Sequence, residues 1–363
     1  MKKALVLGFA IASICVLAFA DVRITSSQCL DKTCLTVAIL SVSLIILWLI
    51  PREKISIEGK AVFISGCDTG FGHKLAKRLD SLGMVVFAGC LKGDGEGAKD
   101  LVEHCSERLR IVVVDVTSDE SVRIARKVVE ENLLRLHEGI WAIVNNAGIW
   151  TWGEVEWCKI ETYKRLAEVN TYGVVRVTQA FLPLIRRAKG RVVNVTSQAG
   201  LWTPPAGAMY GMSKYAAESL SDALRHEMYP WGVKVSMIEP GYYARSTKIS
   251  HNVPELFKQL SEELWDGMTD ECKKDYGKEY HDTHYRFLCE QVKTTIADNT
   301  PVIDAMVDAI LAKEPKHRYL VGGFFETVVI AHLHRLLPSW IMDRRFHQYY
   351  ASFPVPAALK GKN

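Results

Sequence analysis

The sequence predicts an α/β fold built on a doubly wound parallel sheet. Three observations carry this reading. From Lys60 onward, short runs rich in Val, Ile and Ala recur along the chain. Amphipathic stretches of helical character separate them. The runs show little alternation of apolar and polar residues, as strands covered on both faces require. Strand–helix alternation of this kind specifies a sheet with helices on either side.

The runs fall at 61–65, 84–88, 110–114, 141–145, 191–196 and 233–238. Helices are expected at 74–81, 119–135, 162–188 and 208–228 between them. After Gly241 the alternation breaks. Residues 242–299 are polar, helical in flavour and rich in aromatics, which reads as an insertion over the active site. A further helix follows at 303–312 and a last strand at 318–321. Residues 324–342 are strongly apolar but carry His332, His334 and Arg335; they form either a core helix or a helix lying on a membrane surface.

Composition sets limits on function. The 363 residues suit one large domain with extensions. The formal net charge is only +4 and no dense Lys/Arg run occurs, so nucleic-acid binding has no electrostatic footprint. Nine cysteines are scattered without zinc spacing, which leads us to expect neither a metal nor a structural disulfide.

Two apolar stretches open the chain, at 4–20 behind Lys2 and Lys3 and at 33–50 ahead of Pro51 and Arg52. A helix over the second is about 27 Å long, close to the ~30 Å bilayer core. The first reads as a cleavable signal peptide or as one arm of a helical hairpin. Either arrangement leaves residues 51 onward on the cytosolic side, in agreement with Arg52 and Lys54. The organisation expected is an anchor over 1–54, a catalytic domain over 55–322 with its insertion at 242–299, and a C-terminal helix and tail over 323–363.

The chemistry lies in three places. The first strand ends in Ser65-Gly66-Cys67-Asp68-Thr69-Gly70-Phe71-Gly72 and then enters a helix. Glycines there allow a tight turn and close approach to a pyrophosphate, which meets the free N–H groups and positive end of the helix. Tyr210 and Lys214 stand four residues apart on a predicted helix and share a face. A lysine cation about 4 Å away, at an effective dielectric of about 20, would bring a tyrosine down by some three pKa units, into range as an acid/base near neutrality. Ser197 ends the strand before that helix and can hydrogen-bond the substrate oxygen as charge develops.

These motifs, in this order, resemble the short-chain dehydrogenase/reductase family, with a Rossmann-type domain from about Lys60 to Val321. The match runs through Gly66, Gly70 and Gly72, Asp115, Asn145-Asn146-Ala147-Gly148, Asn170, Ser197, Tyr210-x3-Lys214 and Pro240-Gly241. The resemblance implies catalysis by Ser197, Tyr210, Lys214 and Asn170, with Asn170 holding a water in a proton relay and Ser197 touching substrate. It implies cofactor contacts from Gly66, Asp68, Gly70, Phe71 and Gly72, and from Asp115 and Val116 at the adenine. Asn146, Ala147 and Gly148 would close the cofactor pocket, Tyr210 and Lys214 would flank the nicotinamide ribose, and Pro240 and Gly241 would line the nicotinamide. Ser246 or Thr247 would stand in for a threonine that the family often places nearby.

Within the family the chain looks most like the 17-beta-hydroxysteroid, retinol and D-3-hydroxybutyrate dehydrogenases. That likeness implies a lipophilic steroid or retinoid alcohol as substrate, with D-3-hydroxybutyrate as the alternative and a catalytically silent binding protein as a remote one. It implies NAD, with NADP kept open by Lys92; no acid or arginine follows the second strand where ribose selectivity is usually set. It also implies a homodimer or homotetramer, and a membrane location in the endoplasmic reticulum with mitochondria as the alternative.

Overall fold

The strands run Lys60–Ser65 (β1), Val85–Cys90 (β2), Leu109–Val113 (β3), Gly139–Asn145 (β4), Arg191–Val195 (β5), Lys234–Pro240 (β6) and Arg318–Val321 (β7). They form one sheet in the order β3-β2-β1-β4-β5-β6-β7, and every neighbouring pair is parallel. This is the doubly wound sheet expected. The computed structural model describes residues 52–136, 139–247, 253–323, 327, 329–351 and 353–361. The apolar leader lies almost wholly outside the described residues, and so does His251, which with Arg245 lies in the substrate region and is the sequence's candidate clamp for a hydroxybutyrate carboxylate. Among the described residues no helix is long and apolar enough to cross a membrane.

The first strand shows why its residues suit a double-sided sheet. All of β1 except Lys60 is buried. Val62 and Ile64 point into one core, Ala61 and Phe63 into the other. The first core is covered by α1 (Gly70–Ser81) and α2 (Glu96–His104), through Leu75, Leu79 and Leu101. The second is covered by α3 (Asp119–Leu136), and Val122 and Val129 face it.

The helix expected over 162–188 is interrupted. It runs as α4 (Ile160–Ala167), a π turn over Glu168–Tyr172, and α5 (Gly173–Ala188). The cause is Asn170, 1% exposed at the centre of the turn. Its amide is anchored outside the helix, so the turn widens to let it reach. From α5, Phe181 stacks on Phe63 at 4.5 Å between ring centroids. The next helix, α6 (Ala208–Met228), completes the cover of that face.

The insertion folds as α7 (Val253–Gly267), α8 (Asp270–Tyr276) and α9 (Lys278–Lys293). It has its own aromatic core, with Trp152, Trp157, Tyr280 and Phe353 buried together. Glu154 ties this core: its carboxylate accepts from Tyr280 Oη at 3.0 Å and lies 3.1 Å from His284 Nε2. Burial raises that carboxyl, but the His284 bond and charge and the tyrosine hydroxyls outweigh burial and hold it below the usual range. Then α10 (Thr300–Leu311) returns to the first face of the sheet.

The C-terminal stretch differs from the single helix expected over 324–342. It forms α11 (Ile330–Leu336) and α12 (Ser339–Tyr350). Leu337 is extended (φ −91°, ψ 149°), as the residue before Pro338 must be to avoid a clash. The corner exposes Leu336 and Trp340, at 79% and 67%.

Candidate active site

Strand order reverses between β1 and β4, which opens a crevice beyond their C-terminal ends. The glycine turn sits there. Gly66 and Gly70 adopt φ of +71° and +66°, a region that side chains strain to enter. Gly66 also packs on the loop after β4: an added Cβ would lie 2.8 Å from Ala147 Cα. Gly72 has the tightest surroundings, with the same added atom 2.5 Å from both the Gly66 carbonyl oxygen and Asn146 Nδ2. The glycines thus bring two loops and the start of α1 into contact. Thr69 makes no side-chain capping bond, so N–H groups of the first turn remain for a phosphate. These features fit a dinucleotide.

Ser65, given no role by the sequence, is the hub of this crevice. Its Oγ accepts from the Asn146 and Ala147 amides at 3.1 Å each. Asn146 in turn donates through Nδ2 to the carbonyls of Ser65 and Gly66 at 3.0 Å. The only sequence signal for Ser65 is its place directly before the glycine turn. Asn145 points away, into the sheet, and donates to Thr178 and Asn194.

Asp68 corrects one expectation. No acid stands directly after β2, where Leu91 and Lys92 follow, yet the Asp68 carboxylate arrives there from the glycine turn. It accepts from the Leu91 amide at 2.9 Å and from the Lys92 amide at 3.3 Å. Lys92 itself is exposed. Phe71 packs edge-on against Tyr243 at 5.8 Å. Thr247, rather than Ser246, faces the turn, with its Cβ 3.7 Å from an added Gly70 Cβ. Beyond β3, Asp115 accepts from Thr117 N and Oγ1 at 2.9 and 2.7 Å, and buried Val116 packs against Gly173.

The other wall is built on β5, β6 and α6. Ser197 caps a short 3-10 turn by accepting from Ala199 N at 3.1 Å, and it lies 3.4 Å from the Pro240 carbonyl, to which its hydroxyl donates. Tyr210 is a close neighbour of Ser197. Lys214 is 6% exposed; its Nζ donates to the Val195 carbonyl at 3.0 Å and lies 5.6 Å from the Tyr210 ring centroid. Asn170 accepts from Ile149 N at 2.8 Å and donates to Ile149 O and Ser213 Oγ at 2.9 and 3.0 Å. An added Cβ on Gly148 would stand 3.3 Å from Asn170 Oδ1 and 3.7 Å from Lys214 Nζ. Gly241 N donates to Val321 O at 2.7 Å, fixing the end of β6.

The electrostatics differ from the sequence expectation. Burial pushes Tyr210 up to about 12, and Ser197 only partly opposes it. Tyr210 therefore does not titrate near neutrality in this geometry, in which the Lys214 ammonium donates to Val195 O. Burial also lowers Lys214 to about 8, against the upward pull of Glu218.

The glycine cradle, the switch point and the Ser–Tyr–Lys wall agree with the sequence comparison. Residues 60–255 match the family described as short chain dehydrogenase. The chain belongs to the short-chain dehydrogenase family. It is an NAD(P)-dependent oxidoreductase acting on CH–OH donors. Rat mitochondrial D-beta-hydroxybutyrate dehydrogenase is 45% identical over 265 residues, covering 72% of this chain and 76% of the relative. Bovine 17-beta-hydroxysteroid dehydrogenase type 6 is 38% identical and covers 85% of this chain and 94% of its own. Mouse retinol dehydrogenase 7 is 39% identical, covering 75% and 83%. A Burkholderia phymatum short-chain dehydrogenase crystallised with NAD has the same fold, with a TM-score of 0.62 at 22% identity over 78% of this chain and 95% of that one.

Proposed function

We propose that this dehydrogenase oxidises a lipophilic steroid or retinoid alcohol with NAD, and that Tyr210 is its acid/base. The observation that carries the reading is the meeting of Ser197, Tyr210 and Lys214 beside the glycine cradle. When bound, the nicotinamide supplies the acceptor for a hydride from the carbinol carbon. Tyr210 takes the hydroxyl proton as the C=O bond forms and returns it in the reverse direction. Ser197 hydrogen-bonds the reacting oxygen, and Lys214 supplies the positive charge that stabilises the phenolate. Asn170 and Ser213 position the Gly148 and Lys214 side of the site.

Steroid and retinol relatives support the substrate class, as do the apolar leader and the exposed Leu336–Trp340 corner, which suit attachment to a membrane. The carboxylate at the end of β2 supports NAD, because Asp68 would repel a 2′-phosphate. D-3-hydroxybutyrate is the second reading, favoured by the 45% identity. A clamp for its carboxylate is not evident in Arg245, whose Nη1 donates to the Lys293 carbonyl at 3.2 Å.

The test follows NADH and NADPH formation by the full chain with estradiol, retinol and D-3-hydroxybutyrate. Turnover of estradiol or retinol with NAD, recovered in the membrane pellet, is expected. Equal rates with NADP would overturn the cofactor assignment, and turnover of hydroxybutyrate alone would overturn the substrate class.

A further inference from the structure

Behind Lys214 lies a buried set of charges for which the reaction above has no use. Glu218 follows Lys214 by one turn on α6 and is 5% exposed. Glu239, on β6 just before Pro240, is 2% exposed. Arg318 opens β7 and reaches both carboxylates through Nη1. Its Nη2 donates to Asp222 at 2.7 Å, and Arg225 donates to the other Asp222 oxygen at 3.2 Å. Three carboxylates thus share two guanidinium groups. The Glu218 Oε1 atom is buried with no hydrogen-bond partner. The turn after Ser197 presses on this residue: an added Gly200 Cβ would lie 2.7 Å from Glu218 Cγ and 3.1 Å from the Lys214 carbonyl oxygen.

A buried ion cluster of this kind is a poor source of stability, since apolar residues of the same volume do as well or better. Its placement suggests another purpose. We propose that Glu218, fixed by Arg318, is a positioning residue that keeps the buried Lys214 a cation. This rests on the catalytic reading of Tyr210 and Lys214. Among the described residues, the following groups face the Lys214 side of α6. Tyr210 and Glu218 flank it on its own helix, Val195 O accepts from it on β5, and Asn170 approaches from the π turn. From β6 and β7 come Glu239 and Arg318, behind Glu218.

The charges fit the assignment. Burial drives the Lys214 ammonium towards losing its proton, and Glu218 is the charge that opposes this. Glu239 is raised to about 7, by burial first and then by the neighbouring Glu218.

The test titrates Lys214 directly, by the carbon shifts of 13C-lysine in the full-length protein, with the signal assigned through Lys214→Met. A wild-type midpoint near 8 is expected. In Glu218→Gln the midpoint falls by about one pH unit, and NADH-dependent reduction of the matching ketone or aldehyde fails from that lower pH. A role in packing alone would lower the melting temperature and leave the midpoint in place, which would overturn the proposal. If Glu218→Gln does not fold, Glu218→Asp keeps the charge but withdraws it by one methylene. A smaller fall is then expected, and an unmoved midpoint again overturns the proposal. Turnover in Tyr210→Phe is scored separately: if it persists, the catalytic reading fails and the Glu218–Lys214 coupling stands or falls on the titration.

Discussion

Tyr210→Phe is expected to lower turnover by about 10²–10⁴-fold while the protein stays folded. The hydroxyl is the only group removed, and the ring keeps its packing. The wild-type pH dependence follows from the same group. Because burial raises Tyr210 to about 12, it holds its proton at neutral pH. Ketone reduction then finds its acid ready, and its rate is flat through neutrality until Lys214 begins to lose its proton near 8. Alcohol oxidation needs the phenolate instead, so its rate climbs with pH across the neutral range. Parallel pH profiles in the two directions, or a Tyr210→Phe enzyme within a few-fold of wild type, would remove Tyr210 from the proton transfer.

Gly72→Ala is expected to weaken NAD binding by about tenfold or more and to cost about 1–3 kcal/mol of stability through overpacking. On propensity alone, alanine near the start of a helix should stabilise it by up to ~1 kcal/mol. The local geometry reverses that sign. The new methyl would meet the Gly66 carbonyl and the Asn146 amide at 2.5 Å, and the first of these is backbone that cannot swing aside. Relief requires the glycine turn to move away from the Ala147 loop, and the phosphate cradle moves with it. Titration of NAD by quenching of intrinsic fluorescence, beside a thermal melt, measures both effects. Unchanged NAD affinity would show that the turn does not form the cradle.

The parts of the fold that local pattern determines were the legible ones. The helix over Ala208–Met228 and the strand over Arg318–Val321 have the bounds expected from the sequence. Apolar runs specify buried strands whatever their partners, and so the sheet could be read. The π turn could not, because Asn170 widens the helix to reach Ile149 and Ser213, 21 and 43 residues away. The site shows the same division. Spacing places Tyr210 and Lys214 on one face, but it does not say where a flexible ammonium points. Here it points to Val195 O, and burial rather than a neighbouring cation decides the tyrosine. Asp68 was expected at the cofactor, but its place at the end of β2 was hidden for a related reason. The carboxylate at the end of β2 comes from a different loop, brought there by the fold.

The most direct test of the account follows deuterium from a carbinol carbon. Estradiol deuterated at its secondary alcohol carbon, or retinol carrying two deuteriums at its alcohol carbon, is incubated with the full-length protein and NAD, and the recovered NADH is weighed by mass spectrometry. The account predicts NADH heavier by one deuterium, formed about 10²–10⁴-fold more slowly with Tyr210→Phe. Product formed without label in the NADH would contradict hydride transfer at this site.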